Sequence, residues 1–253
     1  MPKIAIIAAM EREVEPLIRS WKVRTIEHGG RGYRLFENGD AALICGGIGA
    51  EAARRATEAM IREVSPVRVI SVGFAGALDG SLHVGQVLEP RTVINAADGS
   101  RTKLGSGEGI LVSSATVAGK EQKRRLRKAY GASAVDMEAA AVAQGAEARG
   151  VEFAALKAIS DAADFSLPAM DRFVVDDGRF HSVRFACHVA LRPWLWGTTI
   201  TLARNSSKAS RALCGAVASY LEQPFCRDGA GPVSSVAGDA ASRVSTGVGI
   251  GNR

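Results

Sequence analysis

K-I-A-I-I-A-A-M-E-R-E-V-E-P-L-I-R-S, residues 3–20, carries the reading of the fold. Lys3 to Ala9 is aliphatic with no polar alternation, the pattern of a strand buried on both faces. Glu11 to Ser20 then switches to helical spacing. A doubly buried strand that runs straight into a helix is the opening unit of an α/β sheet. Glu11, Arg12 and Glu13 cut the apolar run short, so it reads as a first strand and not as a signal peptide. The expected location is cytoplasmic.

The same unit recurs downstream. Two short strands are predicted between Val23 and Phe36, around the hairpin-like His28-Gly29-Gly30-Arg31-Gly32 connection. Further strands are predicted at Ala41–Cys45, Val67–Val72 and Phe153–Ile159, with shorter ones at Val84–Val93, Gly109–Val112 and Ala134-Val135. Helices are predicted at Ala50–Val64, Lys120–Tyr130 and Met137–Arg149. The alternation implies a single-domain α/β fold with a mixed, mostly parallel sheet flanked by helices. Residues 1–165 form the expected catalytic core. Residues 166–223 form a helical extension, helical from roughly Phe180 to Glu222, that completes the domain. Residues 224–253 are rich in Gly, Ser, Ala and Val and read as a disordered tail.

Composition excludes several classes of function. The 253 residues are 47% hydrophobic and 23% charged, which excludes a mainly disordered chain. The net charge of +6 permits an anionic partner. At 6% the aromatic content argues against a surface for stacking on single-stranded nucleic acid, and no nucleic-acid partner is expected. Cys45, Cys187, Cys214 and Cys226 form no CxxC pair and read as reduced thiols. The histidines lack paired-ligand spacing, so no metal and no cofactor is expected.

Three acids stand at junctions. Glu13 follows the first strand, Glu138 lies at a predicted helix start in A-V-D-M-E-A-A-A, and Asp161 leaves the last buried strand in A-I-S-D-A-A-D. Each has a bland explanation as a helix cap or first-turn acid. Together they mark one edge of the predicted sheet, where open α/β sheets bind ligands.

The stretches A-A-M-E-R-E-V, G-G-I-G, V-D-M-E-A-A-A and K-A-I-S-D-A-A-D, in that order over residues 3–165, resemble the nucleoside phosphorylase superfamily in its methylthioadenosine/S-adenosylhomocysteine nucleosidase branch. The resemblance implies cleavage of the bond between adenine and C1′ of a 5′-substituted ribose, through an oxocarbenium-like transition state. It implies Asp161 as general acid at purine N7 with Ser160 orienting it. It also implies Glu138 on the ribose hydroxyls, Met137 beside the sugar, and Glu13 as the base that activates water. Gly47, Ile48 and Gly76 would let the backbone approach sugar and nucleophile. A homo-oligomer that takes a small-molecule nucleoside is the implied assembly.

The chain also departs from that pattern. Phe74 replaces a small hydroxyl residue in V-G-F-A-G-A, and Val117 stands where the family has an aromatic for stacking on adenine. Loss of the hydroxyl weakens a phosphorylase reading, though Arg12 remains a candidate phosphate ligand. The stretch from Gln86 to Val112 is short, which bears on the 5′ pocket and on the dimer. The short middle, Leu167-Pro168, D-D-G-R and R-P-W-L-W resemble the hopanoid-associated phosphorylases, which implies adenosylhopane as substrate. A large, apolar 5′ group is the corresponding expectation. A non-catalytic protein that binds a nucleoside or a membrane is the rival reading.

From Gly178 to Arg211 the chain carries Arg179, Arg184, Arg192, Arg204, Lys208 and Arg211 among Phe180, Phe185, Trp194 and Trp196, with no acid. This reads either as an interfacial helix that makes peripheral contact with the inner membrane surface, or as a helix packed on the sheet with snorkelling arginines. Arg192 and Pro193 argue against a spanning helix. Lys120, Lys123, Arg124, Arg125, Arg127 and Lys128 read as a solvated helix face.

Overall fold

Strand β1 (Ile4–Ala8) sends Ile6 and Ala8 into one apolar cluster and Ala5 and Ile7 into another. The alternation places it at the centre of a sheet covered on both sides. The computed structural model describes residues 4–165 and 196–223. After β1 come α1 (Glu11–Ile18), the meander β2 (Lys22–His28), β3 (Arg31–Asn38) and β4 (Ala41–Cys45), then α2 (Ala50–Val64) and the long β5 (Arg68–Ala77). The short strands β6 (Val87–Leu88), β7 (Thr92–Asn95), β8 (Arg101–Lys103) and β9 (Ile110–Ser113) lead to α3 (Lys120–Tyr130). The core closes with β10 (Ala134–Asp136), α4 (Ala139–Glu147) and β11 (Glu152–Asp161), and Trp196–Glu222 forms α5.

Among the described residues these strands form one 11-stranded mixed sheet. β4, β1, β5 and β11 run parallel at its centre. The meander β2–β3–β4 and the pairs β7–β8, β5–β10 and β6–β11 are antiparallel. One apolar face is covered by α2 and α4, through residues such as Ala56, Met60, Val142 and Ala146. The other is covered by α1 and α5, through Val14, Ile18, Ala209, Leu213 and Val217.

The crevice originates in β5. One edge of β5 pairs with β1 over Arg68–Ser71 and with β10 over Gly76 and Ala77, while its other edge follows β11 from Arg68 to Gly76. Between Val72 and Ala75 it bridges from one neighbour to the next, and the ends of β1 and β10 part around it. The strand predicted to stop at Val72 therefore continues through the G-F-A-G stretch, because β11 keeps supplying partners there.

Other boundaries also differ from expectation. Val84–Val93 is not one strand: Pro90, which has no N–H to donate, separates β6 from β7. β8 was not predicted. α4 starts at Ala139 with Glu138 as its N-cap residue, not at Met137. Residues 180–195 of the predicted helical region, Cys187, Cys226 and the tail from 224 lie outside the described residues. No described helix is long and apolar enough to cross a membrane. α5 packs on α1 and β11, while Trp196 and Ile200 near its start are each 51% exposed.

Candidate active site

A cavity of about 560 Å³ opens where β5 changes partners, and α5 forms its outer wall. Its size suits a nucleoside-sized or larger ligand. Arg12 and Glu13 from α1, Ile48 from the turn after β4, Phe74 and Gly76 from β5, and Val117 and Lys123 from the α3 region all line it. Asp136, Met137 and Glu138 follow β10 into the same space, and Ser160 and Asp161 end β11 there.

Asp161 owes its direction to an irregular strand end. In the β11–β5 register Ile159 pairs with Ala75 and Asp161 with Gly76, so Ser160 is the extra residue of a bulge. A bulge bends its strand and re-aims the next side chain. Ser160 Oγ donates to Asp161 Oδ1 at 2.7 Å. Lys123 Nζ forms an ion pair with Asp161 Oδ2 and donates to the Ala162 carbonyl at 2.7 Å. A Cβ on Gly76 would lie 2.9 Å from Asp161 Oδ2 and 3.2 Å from Lys123 Cε. Glycine makes room there for the pair, and Gly76 also lines the cavity.

The second centre is built around Lys157, which is buried in β11. Its Nζ lies 2.9 Å from Asp136 Oδ2. Asp136 is further held by Ser113 Oγ at 2.5 Å and by the Ala139 N–H at 2.9 Å. A Cβ on Gly73 would meet Glu13 Oε2 at 3.3 Å and Lys157 Nζ at 3.6 Å, so carboxylate and ammonium converge on the same point of β5. Lys157 thus supplies the positive charge among Glu13, Asp136 and Glu138, and these acids raise its pKa against the opposing effect of burial.

Burial raises the pKa of Glu13 above the usual carboxylate range, opposed by the nearby Lys157. Burial, and next the negative charge of Asp136, push Glu138 up to about 7. Glu138 Oε1 accepts from Gly49 N at 2.8 Å. Gly49 adopts φ 94° at the start of α2, a left-handed conformation that favours glycine, and this aims its N–H at the carboxylate.

Residues 3–115 and 104–177 match the model of the phosphorylase superfamily. The chain belongs to that superfamily. Among its relatives within the superfamily, the 5′-methylthioadenosine/S-adenosylhomocysteine nucleosidase of Glaesserella parasuis serovar 5 (strain SH0165) is 31% identical over 204 residues, covering 64% of this chain and 86% of the relative. The enzyme of the same name from Staphylococcus aureus (strain Newman) is 29% identical over 198 residues, covering 64% and 87%. Two solved structures share the fold. Futalosine hydrolase of Helicobacter pylori strain 26695 has a TM-score of 0.66 at 20% identity, over 87% of this chain and 97% of that one. The Neisseria meningitidis nucleosidase in complex with methylthio-immucillin-A has a TM-score of 0.66 at 23% identity, over 88% and 99%.

On this superfamily fold, Arg12, Glu13, Ile48, Gly76, Val117, Met137, Glu138, Ser160 and Asp161 come together as cavity lining. Gly47 does not line the cavity; it takes φ 108° in the turn that delivers Ile48 and Gly49. Lys123 corrects the reading of α3 as a wholly solvated basic face: it is 1% exposed and sits against Asp161. One signal for it was available, since Lys123 lies one turn before Leu126, the other buried residue of α3. Asp136 and Lys157 were also missed, although both sit inside the quoted motifs. Cys45 and Cys214 are free thiols, and burial pushes both pKa values up, so neither is an activated nucleophile.

Proposed function

We propose that this protein hydrolyses the N-glycosidic bond of a 5′-substituted adenosine and releases adenine. The observation that carries the reading is the convergence of three carboxylates, the buried Glu13 and Asp161 and the half-buried Glu138, from separate elements on one nucleoside-sized cavity. Glu13, beside the Lys157 ammonium, takes a proton from the attacking water. Glu138 accepts from the ribose hydroxyls, and its negative charge stabilises the developing oxocarbenium ion. Met137 and Ile48 pack beside the sugar. Asp161, Ser160 and the paired Lys123 meet the base, and at this end the departing purine receives its proton.

Phosphorolysis is a second reading, favoured by one observation. The α5 wall contributes Thr199, Ser206, Ser207, Ser210 and Arg211 to a cavity that Arg12 also lines, and such donors suit phosphate. Pro16, Phe74, Leu202 and Ala203 line the same cavity, which is mostly apolar and compatible with an apolar 5′ group. Adenosylhopane in particular rests on the sequence resemblance and enters as one arm of the test. Incubation with 5′-methylthioadenosine, inosine and adenosylhopane, with and without phosphate, is expected to free adenine from a 5′-substituted adenosine in phosphate-free buffer. Strict phosphate dependence would favour phosphorolysis, and no base from any substrate would refute both readings. Asp161→Asn is expected to lose turnover with an unchanged far-UV spectrum, at a melting temperature lowered because the buried Lys123 ammonium loses its counter-charge.

On α5, Trp196, Ile200, Arg204 and Lys208 follow one another at intervals of four residues and all are exposed. This stripe supports a peripheral stance at an anionic membrane surface. Co-sedimentation with anionic vesicles is expected to weaken on replacing Trp196 and Ile200 by serine, and unchanged binding would count against it.

A further inference from the structure

We infer that Lys123 is a catalytic residue: its ammonium gives purine N7 the proton needed for departure, and the paired Asp161 carboxylate accepts from the 6-amino group. The inference rests on the proposed cleavage of an adenine nucleoside and moves the proton-donating role from Asp161 to Lys123. Along α3 the flanking Arg124, Arg125 and Lys128 are exposed, whereas Lys123 is turned inward and sealed. Burying an ammonium is costly, and well-packed apolar residues often serve stability as well as a buried ion pair. Its position therefore points to chemistry.

Donor counting shows what the pair offers. An ammonium has three N–H groups, and Lys123 uses two, on Asp161 Oδ2 and on the Ala162 carbonyl. Asp161 accepts from Lys123 and from Ser160, which leaves lone pairs on a carboxylate that holds about four. Both residues are among those lining the cavity, and although the Lys123 side chain is only 1% exposed, one N–H and the spare carboxylate lone pairs are what the pair has left for a ligand there. Adenine offers the complement on one edge, with N7 as acceptor beside the 6-amino donor. A 6-oxopurine offers two acceptors there, and its O6 would face the carboxylate.

The step balances as follows. The C1′–N9 bond breaks and its electron pair stays on the purine; an Nζ–H bond breaks and N7–H forms, leaving Lys123 as a neutral amine. Water adds to C1′ and its proton passes to Glu13. Solvent exchange after product release removes the proton from Glu13 and returns one to Lys123.

The test uses Lys123→Arg and Lys123→Met with two substrates: 5′-methylthioadenosine, and a 4-nitrophenyl riboside carrying the same 5′ group, whose leaving group needs no proton. Arginine can keep the ion pair but does not give up its proton. Both variants are expected to lose about 100-fold or more in kcat on the nucleoside, and Lys123→Arg is expected to stay within about threefold on the nitrophenyl riboside. Near-wild-type turnover of the nucleoside by Lys123→Arg overturns the inference, as does an equal loss on both substrates. If the wild-type protein cleaves the nucleoside while Lys123→Arg does too, only the role of Lys123 falls. If the wild-type protein cleaves neither substrate, the proposed function falls and takes this inference with it.

Discussion

Glu138→Gln is expected to stabilise the protein at pH 8 and to do little at pH 5. Burial and the charge of Asp136 raise Glu138 from 4.5 to about 7 in the folded chain. Between those two values the folded state binds the proton more tightly than the unfolded state, so stability falls as pH rises through the window. Below 4.5 the group is neutral in both states and the penalty vanishes. Above about 7 it is charged in both, and the penalty reaches about 3 kcal/mol at 1.36 kcal/mol per unit. Glutamine imitates the neutral acid at every pH, and its Oε1 can still accept from Gly49 N, now 2.8 Å from the carboxylate. Relative to wild type, the variant should gain about 3 kcal/mol at pH 8 and less than about 1 kcal/mol at pH 5. For a domain of this size the larger gain raises Tm by about 6–12 °C. Thermal melts of both proteins at the two pH values measure it. An equal change at both pH values, or a less stable variant at pH 8, would refute burial of a charged Glu138 as the cause. A stable but inactive variant would show that stability is given up at this position for function.

Two further outcomes follow from the same geometry. Lys157→Met leaves Asp136, Glu13 and Glu138 without their shared ammonium and should cost about 3–5 kcal/mol in urea unfolding; a loss under about 1 kcal/mol would show that the pair is replaceable. Gly76→Ala introduces a Cβ only 2.9 Å from Asp161 Oδ2. It should lower kcat by about 10–100-fold through misplacement of the pair, with an unchanged far-UV spectrum; unimpaired turnover would mean that the position of Asp161 is not critical.

How much of this was legible in the sequence differs by element. The doubly buried run of β1, the helical spacing of α2 and the turn glycines are local signals, and each produced the element expected. Glu13, Glu138 and Asp161 stood out because each sits where a strand ends, and that placement is also local. Lys123 was not legible in this way. In K-E-Q-K-R-R-L-R-K the spacing of Lys123 from Leu126 is the one local hint, and the packing of α3 beside the end of β11 settles which cation turns inward. Lys157 hid within a strand that periodicity marks as wholly buried, since its partner Asp136 comes from β10.

By itself, the sequence determined the α/β class, the order of most elements and the acids at the strand ends, because periodicity and turn chemistry act over a few neighbouring residues. Tertiary structure alone decided that β5 crosses from β1 to β10 and opens the crevice, that a bulge at Ser160 aims Asp161, and that Lys123 and Lys157 enter the site. These outcomes depend on contacts between residues distant in the chain, 38 apart for Lys123 and Asp161. A buried charge is settled by the partner that folding brings to it, and no local pattern records which partner that is.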